Sequence, residues 1–146
     1  MHTSFIRPVP AAVALAAFLA AGTPALAETV SYKADLKASS EVPPNDSKGT
    51  GAVDAAYDTT SKKLTWTITY SGLTGDATAA HFHGPADTNA TAPPVVPIVG
   101  NLASPIKGEA PLTDAQAADL QGGRWYFNIH TAAHPAGELR GQVMKK

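Results

Sequence analysis

The sequence contains no cysteine. That single absence removes disulfide staples, thiolate zinc sites, iron–sulfur clusters and thiol redox chemistry together. Any metal site must use histidine and oxygen ligands, and any staple must be packing or metal. Charge is also sparse: 16% of residues, 11 basic against 12 acidic, for a formal net charge of −1. Arg7 is the one basic residue before position 28, so the remainder carries 10 basic and 12 acidic residues, a formal −2. There is no basic stripe to serve as a nucleic-acid footprint, and nucleic acid is excluded as a partner.

Long apolar runs are missing too, except at the start. Residues 1–27 have the pattern of an export leader: a positive Arg7, an apolar run over 11–21, and a small-x-small cleavage site at Ala25-Leu26-Ala27. The run is shorter than the roughly 20 residues of a membrane span. It is therefore expected to be removed, leaving Glu28 first, and no membrane is expected as a partner. The leader has a bacterial style, so the expected location is periplasmic or secreted. Residues 28–146 then suffice for one domain with one core.

Period-two alternation dominates that domain. Val30, Tyr32, Ala34, Leu36 and Ala38 alternate with polar residues, as do Val53, Ala55 and Tyr57. Over 63–71, Leu64, Trp66, Ile68 and Tyr70 oppose Thr65, Thr67 and Thr69. Further strands are expected over 77–83, 95–102, 106–110, 125–130 and 138–144. Thr113 and Gln116 form a capping-box pair that predicts one short helix ending near Leu120, before Gly122 and Gly123. The proline-bearing stretch 84–97 reads as a rim beside a site. The fold class expected is all-β, a sandwich or Greek-key barrel with one short helix.

Apart from His2, every histidine falls in two stretches: His81-Phe82-His83, and His130 with His134. On a strand, residues i and i+2 share a face about 6.6 Å apart, while Phe82 turns into the core. Two imidazoles so placed can hold one ion, and the distant pair can complete the set. Set against this is a surface histidine pair on a polar strand; the same-face spacing together with two more distant histidines favours the metal.

The segments His81-Phe82-His83-Gly84, Gly123-Arg124-Trp125-Tyr126-Phe127-Asn128-Ile129-His130-Thr131 and Pro135-Ala136-Gly137-Glu138-Leu139-Arg140-Gly141-Gln142-Val143 resemble those of a CHRD domain. Ala38-Ser39-Ser40-Glu41-Val42-Pro43-Pro44 belongs to the same likeness. This module is named from the repeats of chordin and also occurs singly in secreted bacterial proteins. The resemblance implies an immunoglobulin-like β-fold and carries His81, His83 and His130 across. His134 departs from the family pattern, so it is either an added ligand or a bystander.

Three neutral imidazoles leave an open coordination position. A fourth, from His134, would suit tetragonal copper(II). A His-x-His on a β-sandwich strand, joined by remote histidines, is similar to the copper half of Cu/Zn superoxide dismutase. That likeness is one of site and fold class, without the zinc half or the disulfide. Copper is therefore the expected cofactor, with zinc the alternative. The expected chemistry is superoxide dismutation, one superoxide oxidised to oxygen and a second reduced to peroxide with two protons. Arg140 is the candidate guide for that small anion, against a plain salt bridge. Glu138 and Asn128 are candidates to orient a ligand imidazole. The competing readings are copper storage or delivery without turnover, and an extracellular protein-binding module whose partner the sequence does not name.

Overall fold

The computed structural model describes residues 26–146. The leader expected over 1–27 lies outside the described residues, apart from Leu26 and Ala27. Eight strands follow: β1 (Thr29–Lys37), β2 (Thr50–Asp58), β3 (Lys63–Ser71), β4 (Ala77–His83), β5 (Pro94–Pro97), β6 (Ile106–Pro111), β7 (Trp125–Thr131) and β8 (Leu139–Lys145). One α-helix, α1 (Asp114–Gln121), sits between β6 and β7. Its start is the expected capping box. The Gln116 amide N–H donates to Thr113 Oγ1 at 3.2 Å, and the Thr113 N–H donates to Gln116 Oε1 at 2.9 Å.

All strand pairs are antiparallel, in the order β5-β4-β7-β8-β1-β2-β3-β6. Alternation decides which side faces inward: in β1, Val30, Tyr32, Ala34 and Leu36 are buried and every residue between them is exposed. Four strands separate β4 from β3 in the sheet, yet the rings of Phe82 and Trp66 meet edge-on with centroids 5.4 Å apart. The sheet is therefore curled onto itself as a nearly closed, barrel-like sandwich around one core. The strand expected over 95–102 is only Pro94–Pro97, because Gly100 adopts a φ of +91° and turns the chain.

β7 breaks the one-face pattern. Its inward residues Trp125, Phe127 and Ile129 are buried, but so are Tyr126 and Asn128 on the other side. The cause is the 84–93 segment, which folds back over the outer face of β7 and β8. Arg140 Nη2 donates to the carbonyls of Asp87 and Ala90, and Gln142 Nε2 donates to those of Ala86 and Gly123. The Tyr126 hydroxyl donates to the Ala92 carbonyl at 3.2 Å. The stretch read from sequence as a rim is thus a cover.

Glu138, just before β8, ties three loops together. Its side chain has no exposed surface. Its carboxylate accepts from Ser47 Oγ at 2.6 Å, Thr131 Oγ1 at 2.6 Å, Thr74 Oγ1 at 2.8 Å and the Thr74 N–H at 2.9 Å. Burial alone would push the carboxyl up from 4.5, but the bonds from Ser47, Thr131 and Thr74 outweigh it and hold it at about 2. A depressed carboxyl stabilises the fold above its unfolded value and loses that contribution as pH falls from about 4.5 to about 2. Replacement Glu138→Gln should therefore cost about 3 kcal/mol at pH 7. In denaturant titrations its deficit should shrink between pH 4.5 and pH 2.

At Gly141, β8 passes close to the β1 backbone. A Cβ there would stand 2.3 Å from the Asp35 carbonyl oxygen, a backbone atom held in the β1 ladder. Gly141→Ala should destabilise by about 1–3 kcal/mol, read as a lower denaturation midpoint with an unchanged slope.

Candidate metal centre

Strand register builds the centre. In the β4–β7 pairing, Ala79 faces His130, His81 faces Asn128 and His83 faces Tyr126. Residues opposite one another share a sheet face, so His81, His83, Asn128 and His130 all lie on the outer side. One ring nitrogen from each of His81, His83 and His130 lies within 4.8 Å of the others. Phe82 points the other way, wholly buried against Trp125 and Phe127.

Backbone carbonyls set two of the three rings. His130 Nδ1 lies 2.9 Å from the Pro135 carbonyl oxygen, and His83 Nδ1 lies 2.8 Å from that of Ala92. A carbonyl only accepts, so each Nδ1 carries its proton and each Nε2 keeps a lone pair. This is the arrangement by which a ligand imidazole has its tautomer fixed through its other nitrogen. His130 Nε2 stands 3.2 Å from His81 Nδ1, which donates to it. Two nitrogens bound tetrahedrally to one ion at about 2.05 Å would be about 3.3 Å apart. An ion can therefore replace the shared proton with little movement of these rings.

His83 is held more firmly. Tyr126 stacks on it, with centroids 4.7 Å apart and planes 6° from parallel. Asn128 Oδ1 lies 3.0 Å from His83 Nε2. Since Nδ1 holds the proton, the Asn128 amide bonds there through its nitrogen, by a half-turn that leaves its shape unchanged. An ion recruiting His83 displaces that bond. Burial lowers the pKa of His81, with the His130 and His83 rings adding to the effect. Burial also lowers that of His83, against the raising effect of the bonds to Ala92 and Asn128. Both rings are thus kept neutral, the form that binds metal.

The remaining sequence candidates go elsewhere. His134 is not in the three-histidine group; it lines a separate cavity of about 220 Å³ with Glu41, Pro43 and Pro44, and its backbone closes the 131–137 turn. Glu138 bonds Ser47, Thr74 and Thr131 rather than an imidazole. Arg140 is 2% exposed and forms no ion pair among the described residues. Its guanidinium lies 3.5 Å above the centre of the Tyr126 ring, on which His83 also stacks. Asn128 does touch a ring, but on the lone-pair side. The groups that hold the second nitrogens are the Ala92 and Pro135 carbonyls. Main-chain acceptors leave no mark in a sequence; Tyr126, two residues from Asn128 on an alternating strand, did carry a signal.

The set fits a metal ion: three converging imidazole nitrogens, two of fixed tautomer, and no fourth protein ligand grouped with them among the described residues. It does not separate copper from zinc, since imidazole suits both. No match was found among curated proteins or among solved structures. The family model of the CHRD domain matches residues 32–143, which include all three histidines, the 84–93 cover and the Glu138 knot. With that match spanning most of its length, the chain belongs to the CHRD domain family.

Proposed function

We propose that this is an exported copper-binding protein, periplasmic or secreted, whose three-histidine centre acts as a copper-only superoxide dismutase. The observation that carries the reading is the convergence of His81, His83 and His130 with two tautomers set by backbone carbonyls. Bound copper would supply the one-electron redox couple that dismutation requires. The protein's part is to present neutral nitrogens, to leave a coordination position unfilled by its own side chains, and to hold the rings against Tyr126 and the 84–93 cover. His81 and His130 are only partly buried, so a small anion such as superoxide can approach from their side. Arg140 acts through the fold in this reading, because its Nη2 is engaged with the Asp87 and Ala90 carbonyls and Tyr126 stands between it and His83.

Metal-free protein should take up about one equivalent of copper(II) by calorimetry or metal analysis. His81→Ala and His83→Ala should each weaken uptake at least 100-fold, while His134→Ala changes it less than about two-fold. Uptake that survives both of the first two substitutions would sink the metal reading.

Turnover is tested on the copper-loaded protein. Superoxide decay should accelerate with the wild type and not with His83→Ala. Copper binding without acceleration would leave storage or delivery as the function. Zinc, rather than copper, in protein recovered from cells would remove the redox role.

A further inference from the structure

A cavity of about 430 Å³ opens between the 39–44 turn and the 84–93 cover, and Arg140 of β8 is the one cation that lines it. Arg140 is 2% exposed and forms no ion pair among the described residues. Its Nη2 donates to the Asp87 and Ala90 carbonyls at 3.1 and 2.7 Å, which leaves Nε and Nη1 without partners among the described residues. Neither of those two nitrogens is sealed in the interior, so the free N–H groups are open to the cavity. A cation taken out of water with no counter-charge beside it carries a desolvation cost that an anion would offset.

Glu41 does not supply that counter-charge. Its Oε1 is sealed off against Gly137, where a Cβ would stand 2.3 Å from it, and Gly137 belongs to the neighbouring cavity lined by His134. Burial also pushes the Glu41 carboxyl up to about 7, so that near neutrality it is only partly charged. The amide nitrogen of Gln142 is already spent on the Ala86 and Gly123 carbonyls. What faces the cavity beside the free guanidinium N–H groups is a set of neutral donors, the hydroxyls of Ser39 and Ser40 and the amide of Asn89. Val42 and Pro44 give it an apolar wall. A single positive charge matches a single negative one, and the space exceeds what a carboxylate head alone would fill.

We propose that this cavity binds a small organic monocarboxylate, its head on the free N–H groups of Arg140 and its short apolar tail along Val42 and Pro44. Ser39, Ser40 and Asn89 stand around the head as further donors. A dianion such as phosphate is disfavoured, because Arg140 is the one cation present and Glu41 adds negative charge nearby. The site is independent of the metal reading and shares no ligand residue with it.

The test is titration of the metal-free protein with butyrate, inorganic phosphate and butylamine, followed by the Arg140 Nε–H resonance and the backbone amides. Butyrate should bind saturably, shifting Arg140 Nε–H together with Ser39, Ser40 and Asn89, and at least ten-fold more tightly than phosphate or butylamine. Arg140→Gln, which removes the charge, should abolish the binding. If that variant fails to fold, Ser40→Asp keeps Arg140 in place and sets a carboxylate at a half-buried lining position; it should weaken butyrate binding at least ten-fold. Absence of saturable butyrate binding, phosphate or butylamine binding as tightly as butyrate, or a folded Arg140→Gln or Ser40→Asp that binds butyrate like wild type would each overturn the proposal.

Discussion

A sheet of alternating residues ordinarily gives one face to the core and the other to water. In this protein the outer face of β7 and β8 is instead covered by residues 84–93, held by Arg140, Gln142, Tyr126 and His83 through the carbonyls of the segment. Much of what is specific to the outer face follows from that cover. It buries Tyr126 and Asn128, brings the Ala92 carbonyl to His83, and roofs the cavity over Arg140. Side chains bonded to main-chain carbonyls do the holding, so its sequence can vary while its path is kept.

The cover also separates two polar centres that would otherwise merge. His83 reaches the Tyr126 ring from β4 and Arg140 reaches it from β8, the strands on either side of β7. A guanidinium beside a bare imidazole lowers that imidazole's pKa, and Arg140 is among the causes acting on His83. The aromatic plane lets a cation and a neutral ligand ring sit close without direct contact, and packs both rigidly. Behind them, Glu138 collects its four hydrogen bonds from the 47, 74 and 131 positions and fixes the entry of β8. A buried carboxylate so satisfied is a structural anchor, which is why proximity to the histidines along the chain did not make it part of their site.

Much of the architecture was legible because period-two alternation is a direct consequence of strand geometry. Leu64, Trp66 and Ile68 could pack nowhere but inward, and Thr113 with Gln116 marked the helix start through groups that must satisfy its free N–H donors. His81 and His83 shared a face for the same reason. The short β5 was harder to place, since the turn at Gly100 depends on a backbone angle that the letter glycine permits without requiring.

The residues alone determined that the domain is all-β, that no thiol chemistry operates, and that His81 and His83 project from one side of one strand. Only tertiary structure decided that His130 joins them while His134 does not. Only three residues separate those two on the chain, but His130 stands in the β7 ladder opposite Ala79 and His134 lies in the turn beyond it. Registry between strands is a long-range property, set by how a whole sheet pairs and curls, and no local pattern encodes it.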